Sequence, residues 1–247
     1  MSARTCCPVV ELRQYTLNPG MRDVLIELFE REFIESQEAT GQIVIIGQFR
    51  DMDKPDRFVW LRGFADMPSR ARALQEFYGG PIWKAHREAA NATMIDSDNV
   101  LLLRPARAAS GFSLESAKRP PPGTREIPQG LVVATIYYLD ASAGADFVDF
   151  FEGTLKPALM EAGASILGYF VTENHPNTFP ALPVRENENV FIWFSHFSDQ
   201  AAYQHHAAAL ASSTRWSNEI AKELASRLKG DPEVLKLSPT ARSQLHG

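Results

Sequence analysis

Near the start of the chain, Glu11, Arg13 and Tyr15 stand at alternate positions in a segment rich in Val, Leu, Tyr and Thr. Alternate residues of an extended chain share a face. A Glu-Arg pair there can orient an anionic or carbonyl group, with the Tyr phenol as donor or acid. The same trio also reads as a structural ion pair beside a packing tyrosine. Trp60, Arg62 and Phe64 repeat the arrangement, and an arginine amid aromatics either clamps a substrate carboxylate or stacks on Trp60. His196 shares its face with Ile192 and Phe194; its imidazole suits proton transfer or axial haem ligation, while the ordinary reading is a hydrogen-bonded core histidine. His205 and His206 are adjacent, about 100° apart on a helix, and do not converge on one ion. The sequence has no His-x-x-x-His, Cys-x-x-Cys or acidic calcium loop, so no metal is expected. Dinucleotide and phosphate-binding glycine loops and the Gly-x-Ser-x-Gly elbow are missing too, which argues against nucleotide enzymes and serine hydrolases.

Composition narrows the partners. The 247 residues are 45% hydrophobic with a formal net charge of −5, which gives no general attraction to nucleic acid or anionic lipid. No apolar run approaches the length of a membrane span and no signal-like segment opens the chain, so a soluble, cytoplasmic protein is expected. Cys6 and Cys7 are adjacent, a poor geometry for an internal disulfide and consistent with a reducing compartment.

The elements that must position these residues come from a repeated pattern. Trp60, Phe64 and Asp66 are echoed by Trp193, Phe197 and Asp199, and Trp83 and Trp216 each follow the first tryptophan by twenty-three residues. Ile45, Gly47 and Phe49 answer to Ile166, Gly168 and Phe170. The echo divides the chain into a module at 1–106, a proline-rich linker at 107–129 and a diverged module at 130–247. Strands are expected at 9–17, 42–50, 57–65 and 99–104, with an amphipathic helix at 21–38 carrying Val24, Leu25, Leu28, Phe29 and Phe33 on one stripe, and two helical pieces split at Gly79-Gly80-Pro81. The second copy predicts strands at 130–140, 166–172, 189–197 and 233–237, and helices at 142–162, kinked by Pro157, and 200–229. Residues 175–188 form an insert with no counterpart in the first copy, expected as a surface loop. The order β-α-β-β-α-β is the ferredoxin-like α+β arrangement. Each such unit leaves one sheet face bare, and two of them can cover each other's bare faces to make a barrel within one chain. Trp83 and Trp216 are expected as packing anchors between helix and sheet.

The opening Val10-Glu11-Leu12-Arg13-Gln14-Tyr15-Thr16-Leu17-Asn18-Pro19-Gly20 resembles the first strand and turn of the NIPSNAP family, and Gly47, Phe49, the strand ending at Phe64 and the Trp83 helix are similar as well. The resemblance covers the first copy and, more loosely, the second, where Ala134-Thr135-Ile136-Tyr137-Tyr138 lacks the Glu and Arg. It implies a dimeric α/β barrel fold, shared with cofactor-independent monooxygenases, haem-degrading enzymes and chlorite dismutases, and it implies no single reaction.

The combined reading is a barrel that binds a small, partly apolar organic molecule between helices and sheet, as a cofactor-independent monooxygenase or isomerase. Glu11, Arg13, Tyr15 and His196 are its candidate catalytic residues, and Trp60 and Arg62 its substrate contacts. No cofactor is assigned, and a homodimer is left open. A non-catalytic, protein-binding barrel is the alternative from another class, and a haem-binding barrel a third.

Overall fold

The computed structural model describes residues 6–114, 118–140 and 144–246. The first half runs β1 (Val9–Leu17), α1 (Arg22–Leu28), a π turn (Phe29–Phe33), α2 (Ile34–Glu38), β2 (Val44–Asp51), β3 (Arg57–Phe64), α3 (Met67–Gly79), α4 (Pro81–Asn91), a short β4 (Met94–Asp96) and β5 (Val100–Pro105). The second half runs β6 (Leu131–Tyr138), α5 (Gly144–Phe150), a π turn (Phe151–Leu155), α6 (Lys156–Glu161), β7 (Ser165–Thr172), β8 (Val190–Phe197), α7 (Gln200–Ser212), a π turn (Trp216–Ile220), α8 (Ala221–Arg227) and β9 (Glu233–Pro239). The helix expected from 142 begins among residues outside the described ones.

The four main strands of the first half lie in the order β5-β1-β3-β2, and those of the second in the matching order β9-β6-β8-β7. Both halves bulge at the same place, between Ile45 and Gly47 and between Ile166 and Gly168. At Gly47 a Cβ would stand 2.6 Å from the Phe49 ring, so the bulge needs glycine.

The halves are joined more closely than two sheets laid face to face. β2 pairs with β9 (Phe49 opposite Pro239, Asp51 opposite Leu237), and β5 pairs with β7 (Leu103 opposite Thr172, Pro105 opposite Phe170). Every connection is antiparallel, and the eight strands close a barrel with β4 attached outside to β1. Closure satisfies backbone groups that two separate sheets would leave open at their edges. Val10, Leu12, Val59, Leu61, Ala134, Ile136, Ile192 and Phe194 fill the interior, and the helices cover the outer faces over two further apolar layers.

Other expectations need correction. Val24 is 49% exposed, and Ile26 takes its place on the buried stripe. A π turn interrupts the long helix in both halves, although only the second has Pro157, so the proline is not its cause. The linker buries Phe112 inside the barrel against Phe170 and Phe194. Cys6 and Cys7 are joined by a disulfide between neighbours, Cα atoms 3.8 Å apart; adjacent cysteines close a small ring that needs no approach of distant chain.

Candidate functional site

On β1, Val10 and Leu12 point into the barrel, which turns Glu11, Arg13 and Tyr15 outward beneath the helices. The β1–β3 register sets Glu11 opposite Arg62 and Arg13 opposite Trp60. The sequence-derived group is therefore assembled, His196 excepted.

Glu11 is the hub. Its Oε2 accepts from Arg13 Nη1 at 2.8 Å and Arg62 Nε at 2.7 Å, and its Oε1 from Arg70 Nε at 2.6 Å. All four side chains are sealed from solvent. Burial by itself would raise the Glu11 pKa, but the fields of Arg62, Arg13 and Arg70 outweigh it and hold the carboxyl far below its ordinary value. Three guanidiniums against one carboxylate leave two positive charges in excess, and among the described residues no second carboxylate pairs with any of the three arginines.

Neutral oxygens take up part of the remaining donor capacity. Arg62 Nη1 donates to Gln37 Oε1 at 3.0 Å, and Arg70 Nη1 donates to Asn177 Oδ1 at 2.9 Å and Thr178 Oγ1 at 3.1 Å. Arg62 Nη2, Arg70 Nη2 and Trp60 Nε1 are buried with no hydrogen-bond partner among the described residues. The Trp60 ring lies between two of the cations, 5.5 Å from Arg13 Cζ and 5.1 Å from Arg62 Cζ.

Tyr15 links this cluster to an aromatic cleft. Arg13 Nε donates to Tyr15 Oη at 2.9 Å, so the phenol proton is free to point elsewhere. Burial keeps the Tyr15 pKa above its ordinary value despite the pull of Arg13, and the group is a neutral donor at neutral pH. Tyr15, Phe29, Gln37, Trp60, Tyr78 and Trp83 wall a narrow cleft whose free volume is about 30 Å³, room for one or two waters while the rings stand as they do. Trp83, expected as a packing anchor, is only partly buried and forms part of this wall. Larger grooves lie along the linker and beneath the 173–189 segment, and none of the three spaces is lined by Arg13, Arg62 or Arg70.

Two helical contributors escaped the sequence reading. Arg70 follows the α3 cap, where Asp66 accepts from the Ser69 backbone N–H, and it shares the buried stripe with Ala73, Leu74 and Phe77. Gln37 lies on the stripe of Phe33 and Ile34. A charge or amide on an apolar stripe was the available signal. The insert gave none: it is more than a surface loop, because its Asn177, Thr178 and Phe179 cross to the first half and the Phe179 ring stacks on Tyr78 at 5.9 Å.

His196 is not brought to this group. It stands on β8 at the barrel mouth, where a Cβ on Gly130 would be 2.7 Å from its Nε2. Burial lowers its pKa, with His246 adding to the effect. The His196 ring is half-buried and its Nε2 lies beside Gly130.

Residues 10–109 match the NIPSNAP family model. The first half is a NIPSNAP domain. No curated protein matches the chain. Among solved structures, the chain is similar to a candidate monooxygenase from Lactobacillus acidophilus NCFM, 13% identical, covering 97% of each chain with a TM-score of 0.58. A second candidate monooxygenase, from Fusobacterium nucleatum, is 9% identical over 98% of this chain and 96% of its own, with a TM-score of 0.59. A chlorite dismutase variant from Candidatus Nitrospira defluvii is 12% identical over 95% of this chain and 93% of its own, with a TM-score of 0.50. At such identities the likeness establishes the fold, a dimeric-type α/β barrel, whose NIPSNAP domain carries the arginine cluster. No helix among the described residues is long and apolar enough to cross a membrane.

Proposed function

We propose that the cleft, by parting its aromatic walls, binds a small planar organic molecule with an acidic oxygen, a phenolate or enolate, and that Tyr15 donates the hydrogen bond to that oxygen. One observation carries this reading: Tyr15 lines the cleft while its phenol oxygen receives the Arg13 N–H. A phenol polarised by a guanidinium is a stronger donor, and the excess charge behind it favours an anion in front. Stabilised oxyanions of this kind are shared by isomerases that shift a proton next to a carbonyl and by monooxygenases that use no cofactor, the two activities to which we assign the cleft. Trp60 supplies the ring face, and Arg13 and Arg62 supply charge from behind it. Glu11 organises the arginines; a carboxylate held this far below its usual range is too weak a base to take a proton from carbon.

A second reading is a non-catalytic barrel, favoured by the fact that Glu11, Arg13 and Arg62 do not themselves line the cleft. Titration with 4-nitrophenol, followed by its visible absorbance, separates the two. The wild type should bind the phenolate form and lower the pKa of the bound probe, and Tyr15→Phe should weaken binding about tenfold, the worth of one hydrogen bond. Equal binding by wild type and variant, or none, would reject the phenolate site.

A further inference from the structure

The arginine cluster is over-supplied with donors. Arg62 Nη2 and Arg70 Nη2 are buried without partners, on the two guanidiniums that flank opposite oxygens of Glu11. Buried charged donors in folded proteins are hydrogen-bonded as a rule, and exceptions mark a place where water or an ion belongs. The acceptors on the neighbouring Nη1 atoms are an amide oxygen of Gln37, an amide oxygen of Asn177 and a hydroxyl of Thr178. All three are weaker partners for a guanidinium than a carboxylate.

We propose that Arg62 and Arg70 form a carboxylate-binding site behind the aromatic cleft, closed over by the 173–189 segment. Gln37 stands between the cleft and the arginines, since it both lines the cleft and accepts from Arg62. A carboxylate entering from the cleft displaces the Gln37 oxygen from Arg62, meets the free Nη2 groups and offsets one of the two excess charges. Planar, forked guanidiniums match the two oxygens of a carboxylate, which a spherical ion does not. Asn177, Thr178 and Phe179 roof the site from the second half, so a ligand large enough to reach Arg70 lifts or reorders them. The second half has no such site: Ser195 stands opposite Val133 where Arg62 stands opposite Glu11.

This inference rests on the charge excess and the unpartnered donors and is independent of the phenolate reading, because Tyr15→Phe should leave it intact. Calorimetric titration compares sodium benzoate with benzamide, its neutral counterpart. The wild type should bind benzoate saturably at one site per chain and benzamide at least about tenfold more weakly. Arg70→Gln, which leaves Glu11 with two arginines, should lose that preference. Should this variant fail to fold, Arg70→Tyr is the second test, because Tyr203 stands four residues after the Asp199 cap as Arg70 does after Asp66. Crystals soaked in bromide should show anomalous density within hydrogen-bond distance of the Arg62 or Arg70 guanidinium, displaced by benzoate. Equal affinity for benzoate and benzamide, benzoate binding unchanged by loss of Arg70, or bromide that benzoate does not displace would each overturn the proposal.

Discussion

The two halves of the barrel have the same strand order, the same bulge and the same capped helix after the tryptophan strand, yet they fill corresponding positions with opposite chemistry. Strand register pairs Glu11 with Arg62 in the first half and Val133 with Ser195 in the second, and Arg13 and Thr135 each face the tryptophan of their own half. Counting from the helix caps sets Arg70 against Tyr203, and counting from the π turns sets Gln37 against Leu159. Tyr15 and Tyr137 are both retained and both buried. The scaffold therefore stands without the charges, as the second half does. A carboxylate and three arginines out of water are costly to hold, and their confinement to one half is what the proposed binding roles would account for.

The strongest challenge to this comparison is Glu11→Ala, which strands three buried guanidiniums. Urea unfolding should show a loss of about 3–5 kcal/mol, against about 1–2 kcal/mol for Val133→Ala, a loss of methyl groups alone. A similar cost at both positions would mean that the cluster is not strained by its charge. Next in size is the exchange Glu11→Val, Arg13→Thr, Arg62→Ser and Arg70→Tyr, which writes the second half's residues into the first. Removing the charges together should cost less than Glu11→Ala, because no buried guanidinium is then left without its carboxylate, although the smaller Thr and Ser leave voids. Failure to fold would show that the halves are not interchangeable at this layer.

Acid unfolding sharpens the same contrast. The folded Glu11 pKa is depressed, so the unfolded chain takes up the proton first. The contribution of Glu11 is full above its ordinary value of 4.5 and is lost progressively as pH falls towards the folded value. The fourfold variant should lack that part of the acid slope. At the alkaline end Tyr137, pushed up to about 12 by burial, works in the opposite sense: its contribution is present below pH 10 and lost as pH rises through the folded value, a slope that Tyr137→Phe should flatten. The smallest effect is expected for Tyr15→Phe, about 1 kcal/mol in stability, with the change showing in 4-nitrophenol binding, while Tyr137→Phe leaves that binding untouched.

Much of this was readable in the residues. Alternation in β1 put Glu11, Arg13 and Tyr15 on one face, and the recurring Trp, Phe and Asp marked a strand running into a capped helix, since Asp66 and Asp199 both accept from a backbone N–H three residues on. Arg70 and Gln37 were legible only as polar intrusions on apolar helix stripes. The reach of Asn177 and Thr178 was not legible, because a loop's destination depends on where the other half of the barrel stands.

Local pattern alone thus determined the strands, the helices, the doubled order of elements and which side chains share a face, because strand and helix periods act over a few residues. What tertiary structure decided was the joining of β2 to β9 and β5 to β7, the convergence of three arginines on Glu11, and the roof supplied by the second half. These depend on contacts between residues as far apart as Glu11 and Arg70 or Arg70 and Thr178, whose energies arise only once burial removes water from between the charges.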